Sequence, residues 1–361
     1  MPVTIVVGGQ YGSEGKGKVC AHLAQNDPVD LMIRCGGPNA GHTVHFQGVC
    51  YELKQVPAGF INERTRLLLA AGALIDPAVL LKEVETCGLT AERLGIDGNA
   101  GIVEPSDRDT ERTSQLQARL GSTNMGVGSA ASRRVIREAG FRCASDVPEL
   151  RPFLTSVRSE VSAAIRQNKS VVIEGTQGFG LSLYHTEQWP YCTSRDTTAH
   201  SFLGEVGIGA RDFAVIMAIR TYPIRVAGNS GPLPSEISWA DVRKRSGYPH
   251  DIAEFTTTTK RLRRVAEFDW RVVLEAVAAN SPTCLALHGV DYVQYRNKSV
   301  SDFDALSDDA KTFVAELERR TAVPVGLIGT GPQPAEMIDR RARSVRSSSP
   351  EARSQRLQLA R

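Results

Sequence analysis

The chain has 361 residues, of which 41% are apolar and 23% charged, a composition typical of a globular protein with one large domain or two small ones. A net charge of +3 is too small to indicate nucleic-acid binding, and no apolar run approaches the ~18 residues of a membrane helix. Because no secretory signal pattern and no Cys-x-x-Cys pair occur, we expect a cytoplasmic protein whose seven cysteines are reduced thiols, without a structural metal site.

Strand-like and helix-like patterns alternate along the chain. They predict a strand at 3–7, a helix ending near residue 25, strands at 29–34 and 66–73, helices at 76–88 and 150–167, strands at 170–175 and 213–226, a helix at 270–280, a strand at 283–293, a helix at 307–321 and a strand at 323–331. The helix at 76–88 has clear boundaries, with Asp76 at its N-cap, Pro77 in its first turn and Gly88 at its end. This alternation predicts an α/β fold with a central, mostly parallel sheet flanked by helices.

Domain boundaries and loops are indicated by composition. We predict one large catalytic domain at 1–338, because no linker divides it, and an Arg/Ser-rich C-terminal tail at 339–361. The tail is expected to be solvated and poorly ordered, with contact to nucleic acid or another acidic partner as the alternative. The connections at 105–135 and 176–210 are long and polar, which is typical of functional loops.

The stretch GGQYGSEGKGKV at 8–19 has the pattern of a phosphate-binding loop between a strand and a helix. Its glycines let backbone N–H groups approach an anion, and the helix adds the positive end of its dipole. GSEGKGKV lacks the Ser or Thr that completes a Walker A motif, so this loop differs from the usual NTPase kind. The alternative is a glycine-rich turn with surface lysines.

Seven motifs, in the same order, resemble those of adenylosuccinate synthetases. The loop at 8–18 is similar to G-x-Q-W-G-D-E-G-K-G-K, GGPNAGHT at 36–43 to G-G-x-N-A-G-H-T and, more weakly, GSTNMGVG at 121–128 to G-T-T-G-R-G-I-G. EGTQG at 174–178, TSRDTTA at 193–199, TTTTKRLRR at 256–264 and GTGP at 329–332 resemble E-G-A-Q-G, T-S-S-N-T-T-A, the aspartate loop A-T-T-G-R-x-R-R and S-T-G-P. The resemblance extends from residue 3 to about 340 and implies this family's fold, which is related to P-loop NTPases.

The resemblance implies a ligase that phosphorylates a purine O6 and then lets the amine of L-aspartate displace phosphate at C6. This chemistry consists largely of positioning and charge stabilisation, with Mg²⁺ on the donor phosphates. The catalytic candidates are Ser13 and His42, with His42 as the hydrogen-bond donor near the transferred phosphoryl group, because imidazole titrates near neutral pH. Ser13 and the Gly41 carbonyl match the positions that reach Mg²⁺.

The same resemblance assigns the binding residues. The ATP-binding set is Gly12, Ser13, Gly15, Lys16, Gly17, Lys18, Thr43, Asp291, Gly329 and Gly331. The substrate-nucleotide set is Ser13, Asn39, Ser122, Thr123, Arg137, Gln177, Thr198 and Arg261. The aspartate-binding set, in which planar guanidinium groups suit a dicarboxylate, is Thr257, Thr258, Thr259, Arg261 and Arg263. Arg137 matches an arginine that reaches the neighbouring subunit's nucleotide, which implies a homodimer; a helix-surface arginine is the alternative.

Position 13 departs from the family pattern, which has an aspartate that serves as base and Mg²⁺ ligand. One interpretation of Ser13 is an impaired enzyme or a decoy, and the other is a changed substrate. Guanine carries an amino group at C2, beside N1, where hypoxanthine has hydrogen, so a shorter side chain would make room for it. A phage-encoded branch of the family, which joins dGMP to aspartate for DNA containing 2-aminoadenine, resembles this pattern in its length and its small residue. How N1 loses its proton is left open.

A second departure concerns the phosphoryl donor. The family reads the guanine of GTP with T-K-L-D, whereas HGVD at 288–291 keeps Asp291 and has Gly289 in place of the lysine. We therefore expect a ligase that converts dGMP, L-aspartate and ATP or dATP into 2-amino-2′-deoxy-N6-succinyladenylate, phosphate and ADP or its deoxy form. The alternatives are an ordinary adenylosuccinate synthetase that uses IMP and GTP, and a non-catalytic nucleotide-binding switch.

Overall fold

The computed structural model describes residues 3–256 and 260–341. Within these ranges the strands are β1 (Val3–Gly8), β2 (Leu31–Arg34), β3 (His42–Phe46), β4 (Val49–Leu53), β5 (Arg66–Leu69), β6 (Leu74–Ile75), β7 (Leu94–Asp97), β8 (Gly101–Ile102), β9 (Leu154–Thr155), β10 (Val171–Glu174), β11 (Phe213–Arg220), β12 (Ile224–Arg225), β13 (Glu236–Ile237), β14 (Arg264–Ala266), β15 (Cys284–His288), β16 (Val325–Gly329) and β17 (Met337–Asp339). The α-helices are α1 (Lys16–Asn26), α2 (Pro77–Thr86), α3 (Pro105–Thr113), α4 (Leu116–Leu120), α5 (Val127–Val135), α6 (Val157–Arg166), α7 (Ala199–Val206), α8 (Trp239–Ser246), α9 (Trp270–Asn280) and α10 (Asp308–Thr321).

A ten-stranded sheet in the order β17-β16-β15-β11-β1-β10-β2-β5-β7-β9 forms the centre of the molecule. Its neighbouring strands are parallel, apart from the antiparallel edge pair of β16 and β17. The central strand β1 is buried on both faces: Ile5 and Val7 belong to one hydrophobic core, and Val6 belongs to the other. The predicted α/β fold with a mostly parallel sheet is therefore confirmed.

Several predicted elements have different boundaries from those expected. The strand predicted at 66–73 ends at Leu69, and the strand predicted at 283–293 ends at His288, before a 3₁₀ turn at Val290–Tyr292.

Two further elements differ for a clear physical reason. The helix predicted at 150–167 starts only at Val157, because Pro152 lies in a 3₁₀ turn and Leu154 pairs with β7. The strand predicted at 213–226 stops at Arg220, whose backbone N–H and C=O both bond the side-chain amide of Gln10. The chain then passes Pro223 and enters the antiparallel sheet β12-β14-β13.

The segments 105–135 and 176–210 are not simply long loops, because they contain α3, α4, α5 and α7. The polar helix α3 shows no apolar stripe in the sequence, since it packs through buried carboxylates. Asp107 accepts hydrogen bonds from Ser129 and Arg133 of α5, and Glu111 accepts from the backbone N–H of Gly126 and Gly128. Polar packing of this kind hides the periodicity by which a helix is normally predicted.

Ordered contacts continue past residue 338, the predicted end of the catalytic domain. Strand β17 ends at Asp339, and the Arg341 guanidinium bonds Asp339 and Asp27. The rest of the predicted tail, 342–361, lies outside the described residues. Among the helices described, none has the length and apolarity needed to cross a membrane.

Candidate functional site

Six strands of the main sheet end at one cleft of about 450 Å³. The carboxyl ends of parallel strands share one edge of the sheet, so the loops that follow β1, β2, β10, β11, β15 and β16 converge there. Most of the predicted site residues line this cleft: Gly12, Ser13, Gly15, Lys16, Gly17, Lys18, Asn39, Gly41, His42, Thr43, Thr123, Gln177, Arg263, Asp291 and Gly331.

Other predicted site residues lie away from the cleft lining, namely Ser122, Arg137, Thr198, Arg261 and Gly329. The Thr198 hydroxyl caps α7 and donates a 2.6 Å hydrogen bond to Asp196. Arg137 is exposed just beyond α5, and Arg261 is exposed in the loop before β14. The predicted aspartate-binding residues Thr257, Thr258 and Thr259 lie outside the described residues.

The phosphate-binding loop is shaped by a buried carboxylate. Glu14 accepts hydrogen bonds from the backbone N–H of Gln10 (3.1 Å) and Gly12 (2.8 Å), and from the Lys16 ammonium (2.6 Å). Gly15, in the left-handed region at φ 89°, then starts α1. The loop therefore presents the N-terminus of a helix to the cleft, a geometry that attracts phosphate.

His42 belongs to a buried charge network. Its Nδ1 bonds the carboxylate of Glu174, which also accepts from the Arg34 guanidinium (3.2 Å) and the Ala58 backbone N–H (2.7 Å). Burial, followed by the nearby charge of Arg34, lowers the pKa of His42 to about 4 although Glu174 acts in the opposite direction. The imidazole is therefore neutral at pH 7. Glu174 fixes the ring through Nδ1 and leaves Nε2 to exchange protons.

Ser13 adopts a left-handed backbone conformation, with φ 59°, and its side chain is exposed at the cleft. Its carbonyl oxygen accepts a 3.2 Å hydrogen bond from the Arg220 guanidinium. The hydroxyl makes no hydrogen bond to any residue in the described ranges. Ser13 is thus held through its backbone, and its hydroxyl is available to a ligand.

Glu254, which we did not predict, connects several cleft residues. Its carboxylate accepts from Arg220, from the Arg263 guanidinium (3.0 Å) and from the Tyr292 hydroxyl (3.0 Å). Burial acts to raise the pKa of Glu254, but the positive charges of Arg220 and Arg263 outweigh it and hold the pKa at about 2. The sequence gives little indication of this role, because two of the three partners, Arg220 and Tyr292, lie 34 and 38 positions away.

His288 was also missed as a site residue. Its ring fills the space left by two glycines, since a Cβ at Gly15 or Gly329 would lie 2.9 Å or 2.3 Å from the ring. This explains why Gly329 packs beneath the cleft instead of lining it. Beside it, the Lys18 ammonium donates to the carbonyl oxygens of Gly331 and Glu336, and burial lowers its pKa to about 8.

A metal ion would have few protein ligands in this cleft. Within residues 3–256 and 260–341, no group of three or more His, Cys, Asp or Glu side chains is arranged to hold a metal. The predicted Mg²⁺ contacts, Ser13 and Gly41, both line the cleft and offer oxygen atoms. Such a set suits Mg²⁺, which takes oxygen ligands and commonly receives most of them from phosphates and water.

Comparison with known proteins identifies related sequences over nearly the whole chain. The adenylosuccinate synthetase family profile matches residues 5–147 and 142–298. The adenylosuccinate synthetase of Thermococcus onnurineus is 43% identical over 346 residues, covering 94% of this chain and 99% of that protein. The Methanocaldococcus jannaschii enzyme of the same name is 40% identical over 343 residues, covering 94% and 96%.

Two solved structures share the fold. The fully ligated adenylosuccinate synthetase of Plasmodium falciparum superposes with a TM-score of 0.84 at 22% identity, covering 94% of this chain and all of that one. The cyanophage S-2L succinoaminodeoxyadenylate synthetase, bound to dGMP and to dATP as an energy donor, gives a TM-score of 0.79 at 30% identity and covers 93% and 95%.

Proposed function

The chain belongs to the adenylosuccinate synthetase family of C–N bond-forming ligases, and we propose that it joins L-aspartate to C6 of dGMP with ATP or dATP as the phosphoryl donor. The products are 2-amino-2′-deoxy-N6-succinyladenylate, the nucleoside diphosphate and phosphate. The observation that carries this proposal is Ser13, a short neutral side chain exposed in the cleft where the family pattern has an aspartate.

Ser13 supports a guanine acceptor for two physical reasons. An aspartate beside N1 would occupy the space that the 2-amino group of guanine requires, whereas serine ends one atom earlier. The Ser13 hydroxyl, which bonds no described residue, can accept a hydrogen bond from that amino group. A hydroxyl has no charge at neutral pH, so Ser13 is a selector of the acceptor and not the base that takes the N1 proton.

The reaction divides between two displacements. The acceptor O6 attacks the γ-phosphorus of the donor and the nucleoside diphosphate leaves; the amine of aspartate then attacks C6 and phosphate leaves. His42 is the residue that donates a hydrogen bond near the transferred phosphoryl group. Its pKa of about 4 in the free protein rises when phosphate charge approaches Nε2, so the ring can take up a proton and stabilise the oxygen.

The remaining residues can be grouped by the ligand that each is proposed to bind. Lys16, Lys18 and the loop N–H groups hold the donor phosphates, and bound Mg²⁺, which Ser13 and Gly41 would contact, neutralises their charge. Asn39, Thr123 and Gln177 hold the acceptor nucleotide. Arg263, with Arg261 and the threonines at 257–259, holds the two carboxylates of aspartate. Arg137, exposed and outside its own cleft, contacts the nucleotide of a second subunit in a homodimer.

A second candidate is an ordinary adenylosuccinate synthetase acting on IMP with GTP. The archaeal relatives that bear this name favour it, because they are 37–43% identical to this chain. The cyanophage enzyme is 30% identical. Overall identity reports shared ancestry and fold, however, whereas the choice of acceptor depends on the few atoms beside the purine ring, where Ser13 lies.

The two candidates are separated by supplying purified full-length protein with Mg²⁺, L-aspartate and ATP, dATP or GTP, and with dGMP, GMP or IMP as acceptor. Phosphate release and product mass are measured. We expect turnover with dGMP, and a fall of at least ~100-fold in kcat/KM for dGMP in Ser13→Asp. Ser235→Asp is the matched control, because Ser235 is also exposed and left-handed (φ 52°) but lies outside the cleft. Turnover of IMP and not dGMP would establish the second candidate, and no turnover with any acceptor would refute both.

A further inference from the structure

The cleft contains an aspartate whose carboxylate is partly occupied within the protein. The Tyr248 hydroxyl donates a 2.5 Å hydrogen bond to Oδ2 of Asp291, and both residues are 8% exposed. Both line the cleft beyond the phosphate-binding loop, together with His288 and Gly331 at the ends of β15 and β16. A base bound at this end therefore meets a carboxylate with one oxygen already engaged.

Tyr248 is fixed in place by its neighbours. Its ring packs 4.7 Å from the ring of Tyr295 and 5.8 Å from that of Tyr292, and the Lys298 ammonium lies 5.9 Å above it. Gly247, at φ 72°, ends α8 immediately before it and sets its direction. Moving the Tyr248 ring away from Asp291 would disturb this aromatic group, which favours keeping the hydrogen bond when a ligand binds.

The backbone beside Asp291 excludes a larger side chain. Gly289 has φ 82°, and a Cβ there would lie 2.8 Å from the Thr221 hydroxyl oxygen, which itself donates a 2.7 Å hydrogen bond to the Gly289 carbonyl. A long cationic side chain at this position would be strained and would clash. The absence of a side chain at position 289 thus leaves Asp291 and Tyr248, beside His288 and Lys298, as polar groups at this end of the cleft.

We propose that Tyr248 determines the choice of phosphoryl donor by occupying one oxygen of Asp291, so that the site takes a 6-aminopurine nucleotide and rejects guanine. The inference rests on the proposed function in one respect, namely that a purine nucleoside triphosphate binds this cleft. Guanine presents two adjacent donors, N1–H and N2–H, that need both carboxylate oxygens. Adenine presents one donor group at N6, which the remaining oxygen can accept.

The expected preference for adenine over guanine arises because bound guanine would leave one of its buried N–H donors without a partner. Such a loss weakens binding by about 10- to 100-fold. Removing only the Tyr248 hydroxyl would free Oδ2 of Asp291 for the second guanine donor, while the ring and its packing are kept. Tyr248→Phe should therefore raise the affinity for guanine nucleotides relative to adenine nucleotides by about tenfold or more.

The test measures binding of ADP and GDP, with Mg²⁺ and saturating dGMP to occupy the acceptor site, by calorimetry on the full-length protein, and kcat/KM for ATP and GTP alongside. We expect the unsubstituted protein to prefer ADP, and the GDP-to-ADP ratio to rise in Tyr248→Phe and in Tyr248→Met, a second variant without the hydroxyl that fills the space flexibly. Tyr295→Phe is the matched control, because its ring packs on Tyr248 but does not line the cleft.

Three results would overturn the proposal, and the first two are tighter binding of GDP than ADP to the unsubstituted protein and an unchanged ratio in both folded Tyr248 variants. A rise of the same size in Tyr295→Phe would also overturn it, since general loosening would then explain the effect. The binding measurement needs no turnover. If the protein makes no product with dGMP or IMP, the proposed function is refuted, but the effect of Tyr248 on ADP and GDP binding can still be measured.

Discussion

Replacing Glu254 with glutamine tests whether one carboxylate organises the part of the cleft that we propose binds aspartate. Glu254 accepts hydrogen bonds from Arg220, Arg263 and Tyr292, and its side chain is 19% exposed. Glutamine keeps the shape but removes the charge, so two arginines lose their counter-ion. Because Arg263 is assigned to the aspartate substrate, we also expect the KM for aspartate to rise by about tenfold, with a smaller change in the KM for dGMP.

Glu254→Gln should also lower the free energy of unfolding, and the pKa of Glu254 gives the size of this change. A folded-state pKa of about 2, against the ordinary 4.5, corresponds to about 3 kcal/mol favouring the ionised carboxylate. Because the pKa of this carboxyl is lower in the folded than in the unfolded protein, the stabilisation is fully present above pH ~4.5 and is lost as the pH falls through ~2. Glu254→Gln should therefore be about 3 kcal/mol less stable at pH 7, and the difference from the unsubstituted protein should shrink below pH ~4.5.

Urea denaturation at several pH values measures this difference. Glu236→Gln is the control, because Glu236 also bonds an arginine, Arg264, but in a more exposed pair outside the cleft, where less than ~1 kcal/mol is expected. Equal losses in the two variants would refute the reasoning. So would a Glu254→Gln protein with unchanged stability at pH 7 and an unchanged KM for aspartate.

Three further results are expected. His42→Asn should reduce phosphate release at least ~1000-fold while dGMP binding, measured by calorimetry, changes only a few-fold; substantial residual turnover would contradict the assigned role. Gly17→Ala should lower kcat by about 10- to 100-fold, because its Cβ would lie 2.7 Å from the Cβ of His42 and displace the ring; an unchanged steady-state kcat would show that the loop absorbs the methyl group. Mixing inactive Arg137→Ala with inactive His42→Asn should restore about a quarter of the activity if the arginine acts across a dimer, whereas no recovery after subunit exchange would refute action in trans.

Local sequence signals predicted the elements that their own residues determine. The strand Val3–Gly8, the glycine loop and α1 follow one another as expected, and α9 begins and ends at the predicted residues 270 and 280. Asp76 caps α2 as predicted, with a 3.2 Å hydrogen bond from the Val79 backbone N–H. In each case the deciding interaction lies within a few residues along the chain.

The motif residues of the cleft could be predicted because they lie in short, recognisable stretches. Ser13, His42 and Asp291 all line the cleft. The groups that orient them could not be predicted in the same way, because each pair joins distant segments. His42 bonds Glu174 132 positions away, Arg220 bonds Glu254 across 34, and Tyr248 bonds Asp291 across 43.

The sequence alone therefore determined the main strands of the parallel sheet and several of its helices, the glycine-rich loop after β1 and the chemical groups at each motif, since these depend on local backbone preferences and side-chain type. Only the tertiary structure decided the protonation of His42, the charge balance around Glu254 and the occupation of Asp291 by Tyr248. These properties depend on burial and on which charges lie within a few ångströms, and both arise only when the sheet brings its strand ends together.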